Sequence, residues 1–317
     1  MLIVLVAPSV KDGYYKKVFG QVIDFDIRLA ETVIGHDNII VLADKYTMPY
    51  LVDRLPDDVL LEAQVRDIWV RDYSTAIPSK MVQFVYKPRY LKQRVASFIK
   101  NSFVRFADSL ALHFEHSPLV LDGGNVVDNN RDKAIVTERL LVDNQAFSRE
   151  TVITKLKAVT GITDLAIIPK EDGDTTGHAD GMVMWLSENT LAVNIYDEPF
   201  RTRVIMALQD GLPDVVIVEI PNGHTPGTWK GFVSACGLNV NSIATNSFLY
   251  VPVFGTATDD VFLGTIRRCT DKKVETINAE SVCFMGGSVR CLSWQVTGDN
   301  AYKLIETARK KAEFHRQ

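Results

Sequence analysis

Four short segments carry the residues that could do chemistry together. They are Trp69-Val70-Arg71-Asp72, Asp122-Gly123-Gly124-Asn125, Gly177-His178-Ala179-Asp180-Gly181 and Gly286-Gly287-Ser288-Val289-Arg290-Cys291. Together they supply three carboxylates, one imidazole and one thiol, each beside residues that suit a bend or a crowded backbone. That inventory fits a nucleophilic thiol, Cys291, working on a cationic planar group such as a guanidinium. Trp69 offers such a cation a flat face, and Asp72 offers bidentate acceptance to its N–H fork. The spacing His178-x-Asp180 puts imidazole and carboxylate on one side of an extended backbone. Asp122, before two glycines and Asn125, can point into a cleft while the chain turns away.

Each segment also has a purely structural reading. A free cysteine is usually a buried, inert hydrophobe. Asp-Gly and Gly-His-Ala-Asp-Gly are turn chemistry, and paired Arg-Asp residues form weak surface ion pairs. Cys236, Cys269 and Cys283 lack acidic or imidazole company and read as core cysteines. Of the other histidines only His224, in the loop 221–227, is held in reserve. No His/Cys set has zinc spacing, so neither metal nor organic cofactor is expected.

The surrounding chain is ordinary in composition: 317 residues, 46% hydrophobic and 23% charged, with a formal charge of −4. The pI near 5.9 argues against nucleic acid as the main partner. No apolar run approaches the roughly 20 residues that span a bilayer, and the apolar start reads as a strand without a signal peptide. Four cysteines without a C-x-x-C pair suggest a reducing, cytoplasmic setting. Without a linker or low-complexity tract, residues 1–317 read as one domain. A homo-oligomer is compatible with the sequence.

Strands and helices alternate. Apolar runs at 2–6, 38–42, 118–121, 134–137, 182–185, 191–195, 215–219, 248–253 and 282–285 read as strands. Helical spacing appears near 23–34, 91–112, 149–159, 200–208, 260–267 and 302–313. In the second of these, Leu91, Val95, Phe98, Phe106 and Leu110 share a side. Helix onsets recur every 50 to 70 residues or so, a rhythm compatible with five repeated units or with a doubly wound sheet. The wide spacing of the four segments favours a site gathered at the centre of a quasi-symmetric ring.

W-V-R-D, D-G-G-N, G-H-A-D-G and G-G-S-V-R-C, in this order, resemble the motif set of the agmatine deiminase / bacterial peptidyl-arginine deiminase family, within the guanidine-modifying enzyme superfamily. The resemblance implies an α/β fold, a five-bladed α/β propeller (pentein) of ββαβ modules with pseudo-fivefold symmetry. It implies hydrolysis of a guanidinium to a ureido product and ammonia through a covalent thiouronium. Carried over by motif, Cys291 would be the nucleophile and His178 the general acid/base. Asp72 and Asp180 would grip the guanidinium nitrogens, with Trp69 and Asn125 beside them, and Asp122 would orient His178 and contact substrate. Two positions depart from the pattern: Asp122 stands where the family usually has Glu, and Arg71-Asp72 continues as Tyr73-Ser74-Thr75 where R-D-x-G-P is common. An amidinotransferase using the same residues, or a non-catalytic binding propeller, are the competing readings.

Overall fold

The computed structural model describes residues 1–315. Arg316, Gln317 and the side chain of His315 lie outside the described residues, so the single-domain expectation bears on 1–315. The first helix follows its apolar positions: α1 (Phe19–Val33) buries Val22, Ile23, Ile27, Ala30 and Val33. It connects the apolar strand β1 (Leu2–Val6) to β2 (Asn38–Ala43), apolar after its first residue, and the two pair in parallel. A third strand, β3 (Leu60–Glu62), extends that sheet. After a helical turn, α2 (Val70–Tyr73), comes a parallel pair, β4 (Val82–Val85) and β5 (Glu115–Val120), linked by α3 (Gln93–Ser109).

The plan then recurs. The short strand β6 (Val127–Asp128) runs antiparallel to β7 (Lys133–Thr137), and the helices α4 (Arg139–Asp143) and α5 (Arg149–Thr160) lead to the parallel β8 (Asp164–Ile168). Next come β9 (Val183–Trp185), β10 (Thr190–Asn194), α6 (Phe200–Gly211) and β11 (Val216–Ile220), paired in the same senses. A hairpin, β12 (Thr228–Trp229) and β13 (Phe232–Val233), precedes β14 (Ile243–Ala244), β15 (Phe248–Val253), α7 (Ala257–Cys269) and β16 (Lys273–Asn278). The chain finishes with α8 (Glu280–Cys283), β17 (Ser293–Val296) and α9 (Gly298–His315). In the β4–β5 unit the antiparallel partner shrinks to the single bridge Ala76–Val82. In the first unit that partner is β17, from the far end of the sequence. The result is a mixed α/β fold in which a strand–strand–helix–strand unit recurs.

Local chemistry sets the helix ends. Ser148 caps α5 by accepting from the Thr151 N–H at 3.2 Å, and Gly161 closes it with φ of 74°. A capping box between Thr256 and Asp259 starts α7. Around β17, Trp294 is fully buried, meets Phe103 edge-on at 5.1 Å and donates from Nε1 to Thr75 at 2.8 Å. Truncating it to alanine would cost about 3–5 kcal/mol.

Three expectations need correction. Residues 282–285 form a helical turn and its exit, not a strand, because an apolar run this short has no distinguishing period. On α3 the side carrying Val95 and Phe98 is not the core side: these two are 43% and 56% exposed, while Ala96, Ile99, Phe103 and Phe106 are buried. Cys236 and Cys283 are not separate core thiols, since a disulfide joins them. The cysteine spacing therefore gives no ground for a reducing compartment. No described helix is long and apolar enough to cross a membrane.

Candidate active site

Asp72 sits on α2, one turn anchored by its neighbours. Val70 and Tyr73 are buried, and the Tyr73 hydroxyl donates to the Asp67 carbonyl at 2.6 Å. Arg71 reaches away from the site, donating to Gln295 at 3.0 Å and to Ser293 and the Arg290 carbonyl at 3.3 Å. Its backbone N–H also donates to the Cys291 carbonyl at 3.3 Å, so the Asp72 and Cys291 segments are tied directly.

Asp122 follows β5 in extended conformation and opens a single 3-10 turn, Gly123–Asn125. The glycines serve close approach, with φ negative at both. A Cβ on Gly124 would stand 2.5 Å from His178 Nδ1 and 2.7 Å from an Asp72 oxygen; one on Gly123 would overlap the Arg71 carbonyl at 2.0 Å. His178 likewise opens a 3-10 turn, Ala179–Gly181, which places Asp180. The two side chains reach one cavity through this turn, not along a strand as expected.

His178 Nε2 lies 3.1 Å from Asp122 Oδ2 and its Nδ1 3.6 Å from Asp72 Oδ1. Burial opposes charge on the ring, but Asp72 and Asp122 outweigh it and raise the imidazole to about 9. The two carboxylates respond differently. Burial pushes Asp72 up to about 7, with Asp122 and Asp180 adding repulsion and His178 opposing. Asp122 is also buried, yet its bond to His178 and the Arg139 guanidinium hold it below the usual range. Arg139 makes the difference: its Nη2 is 2.8 Å from Asp122 Oδ2, and its Nε is 2.9 Å from Asp143.

Cys291 Sγ lies 3.7 Å from Asp180 Oδ2 and accepts from Asn241 Nδ2 at 3.1 Å. The Asn241 oxygen in turn accepts from the backbone N–H groups of Ser288, Arg290 and Cys291 at 3.2 to 3.3 Å, fixing the loop that presents the sulfur. Gly287 leaves room here, since a Cβ would meet Trp69 at 2.5 Å and the sulfur at 3.1 Å. Burial pushes the Cys291 thiol well up, and Asp180 and Asp72 push it further, against Asn241 and Arg290. Arg290 is occupied inside the protein: it donates to Asp180 at 2.9 Å and to the Val126 carbonyl at 2.6 Å.

Trp69, Asp72, His178, Asp180 and Cys291 line one cavity of about 800 Å³. Asp122 and Asn125 are close by but not on its wall. Asp122, one methylene shorter than glutamate, is recessed behind His178, and its Oδ1 is buried without a partner. Asn125 does not face the cavity as a ligand contact would; its oxygen accepts from the N–H groups of Thr137 and Ala179 at 2.9 and 3.2 Å. His224 lines the cavity and is bonded to the Ser234 carbonyl at 2.8 Å. Cys269, expected in the core, is half-buried and packs against the edge of an apolar cluster.

Sequence reasoning missed Arg139, Asn241 and Tyr90. The Tyr90 hydroxyl donates to Asp72 at 3.2 Å or Asp122 at 3.4 Å. None belongs to a segment with other reactive residues, and only the folded contacts reveal them.

The sequence model of the Porphyromonas-type peptidyl-arginine deiminases matches residues 2–297. A curated relative in Mycoplasma capricolum, provisionally assigned as an agmatine deiminase, is 21% identical over 217 residues. That match spans 58% of this chain and only 59% of the relative. The agmatine deiminase of C. jejuni superposes with a TM-score of 0.78 at 15% identity, covering 94% of this chain and 93% of that one. The DDAH of Pseudomonas aeruginosa superposes at 0.56 and 14% identity, covering 93% and 98%. At such identities the likeness is one of fold. The family match, by contrast, runs through all four reactive segments, and this chain belongs to the Porphyromonas-type peptidyl-arginine deiminase family.

Proposed function

We infer that the protein is a cysteine-dependent guanidine deiminase, a single catalytic domain built as a five-bladed α/β propeller with the site at its axis. The recurring strand–strand–helix–strand unit supports the propeller reading. One observation carries the chemistry: the Cys291 sulfur, the His178 imidazole and the Asp72 and Asp180 carboxylates line one cavity, with Sγ 3.7 Å from Asp180 Oδ2 and the imidazole Nδ1 3.6 Å from Asp72 Oδ1. Asp122 and Asp180 each have an internal arginine, whereas among the described residues the one cationic partner of Asp72 is the shared imidazole, beside neutral donors from Tyr90 and the Gly124 N–H. A guanidinium supplies the missing cation.

Its N–H groups bond Asp72 and the free oxygen of Asp180, charged bonds worth about 1.5–3 kcal/mol each. The same cation favours the thiolate, and the thiol proton is released. Sγ attacks the guanidinium carbon, forming a C–S bond. His178, held protonated, gives its proton to the departing nitrogen, and ammonia leaves. The neutral ring then takes a proton from water as the oxygen adds to the thiouronium carbon; the C–S bond breaks, the hydroxyl proton passes to the released ammonia, and the sulfur regains from solvent the proton it gave up. The sum is guanidinium plus water to ureido product plus ammonium. Asp122 keeps the ring oriented and charged, and Arg139 keeps Asp122 ionised.

The test is a panel of small guanidines scored for ammonia and ureido product, with mass spectrometry for a covalent adduct. Stoichiometric ammonia without added amine, lost in Cys291→Ala, is expected. Ammonia-free turnover needing an amine acceptor would replace hydrolysis by amidino transfer. Unchanged labelling of Cys291→Ala by a guanidine-mimicking electrophile would put the nucleophile elsewhere.

A further inference from the structure

Asn241 touches the reacting sulfur. It lies two residues before β14, is 2% exposed, and lines the cavity beside Cys291. The partners of its amide tell the two ends apart. One end meets the backbone N–H groups of Ser288, Arg290 and Cys291, which can only donate, so that end is the oxygen. The other meets the Asp180 carbonyl at 3.3 Å, which can only accept, so it is the NH2. An NH2 has two hydrogens. With one on the carbonyl, the second is available to Cys291 Sγ, 3.1 Å away.

The sulfur has need of such a donor. Sγ is 3.7 Å from Asp180 Oδ2, and both Asp180 and Asp72 disfavour negative charge on it. Arg290 opposes them, but its Nη1 and Nη2 are bonded to Asp180 and to the Val126 carbonyl. Among the described residues, Asn241 is the one donor bonded to Sγ. The loop that presents the sulfur has further anchors. The Arg290 N–H donates to the Asn241 backbone carbonyl at 3.0 Å, and the Cys236–Cys283 disulfide joins the two segments upstream. Oxygen and nitrogen of one amide thus face two separate tasks.

Resting on the deiminase reading, we propose that Asn241 is a further catalytic residue, whose Nδ2 donates to Sγ whenever the sulfur carries negative charge. That occurs twice in each turnover. The thiolate first attacks the guanidinium carbon; later the C–S bond breaks and its electron pair returns to sulfur. The amide keeps its own hydrogens throughout, and it acts on sulfur as an oxyanion-hole donor acts on oxygen.

Two variants separate this role from loop positioning. Asn241→Asp keeps an acceptor oxygen for the loop and loses the donor; Asn241→Leu loses the donor without adding charge. Alkylation of Cys291 by iodoacetamide, followed on its own peptide by mass spectrometry across pH, reads the sulfur without substrate. At about pH 8 the rate should fall at least about tenfold in both variants, the scale of one hydrogen bond to a charged group. The kcat for a guanidine should fall with it. An alkylation profile unchanged in either variant overturns the proposal, even where turnover drops, because positioning or charge repulsion alone would then account for the loss. In wild-type protein carrying 15N-asparagine, one side-chain NH2 pair should shift with rising pH in step with alkylation and stand still in Cys291→Ala. Absence of such a pair overturns the proposal without recourse to a variant of Asn241. Wild-type turnover in both variants also overturns it and leaves the deiminase reading standing. No ammonia from any guanidine, in the wild-type protein, overturns that reading and the proposal with it.

Discussion

The floor and the mouth of the cavity differ in how much the fold depends on them. At the floor, the side chains of Asp122, His178 and Arg139 are 0%, 4% and 9% exposed, with partners at 2.8 and 3.1 Å. At the mouth, Tyr14, Val95 and Phe98 leave two-fifths or more of their surface open. A buried charge whose partner is removed costs about 3–5 kcal/mol, whereas most exposed substitutions change stability by less than about 0.5 kcal/mol. The charged network at the floor is thus locked into the fold, while the exposed apolar residues of the wall can change with little structural penalty.

Several substitutions would break or sharpen this contrast. Cys291→Ala should lower turnover by at least about 10⁴-fold, the scale for removing a covalent nucleophile, measured by ammonia release. Asp72→Ala should lose well over tenfold in kcat/KM, since it removes a charged bond of about 1.5–3 kcal/mol; near-normal turnover would end the clamp assignment. Arg139→Met should cost about 3–5 kcal/mol in denaturant unfolding by stranding Asp122, with Arg139→Lys recovering part.

The pH dependence probes the floor more gently. In the proposed mechanism His178 gives its proton to the leaving ammonia, so activity should fall as pH rises through about 9. Asp122→Asn removes one of the charges that raise the ring, so its proton is lost at lower pH. The alkaline limb of the kcat/KM profile should then move down by about one unit, toward the ordinary imidazole range. At the mouth, Phe98→Ser should leave unfolding free energy within about 0.5 kcal/mol. A loss as large as that of Arg139→Met would erase the distinction.

The parts of the floor legible in the sequence were those with local signatures. Gly-flanked Asp122, His178 and Cys291 stood out because tight backbone approach demands glycine, and the coordinates put Gly124 against both Asp72 and His178. The helix rhythm was also legible: the structure starts α1, α3, α5, α6 and α7 at residues 19, 93, 149, 200 and 257. Arg139 and Asn241 were not, because each acts across 17 and 50 residues on a partner that no sequence period links to it. The Cys236–Cys283 pairing, 47 residues apart, depends in the same way on how two loops meet. Apolar spacing grouped Val95 and Phe98 with Phe106 on one side of α3, yet the first two are exposed and Phe106 is buried, because hydrophobicity alone does not fix which side meets the core.

The pairing of β1 with β17 has a consequence for the order of assembly. Cys291 precedes by two positions a strand that must dock on one synthesised nearly 290 residues earlier. A polypeptide still growing on the ribosome can gather its acids and imidazole but not its sulfur. Cys291 would reach Asp180 and Asn241 only once β17 has been made and has docked on β1.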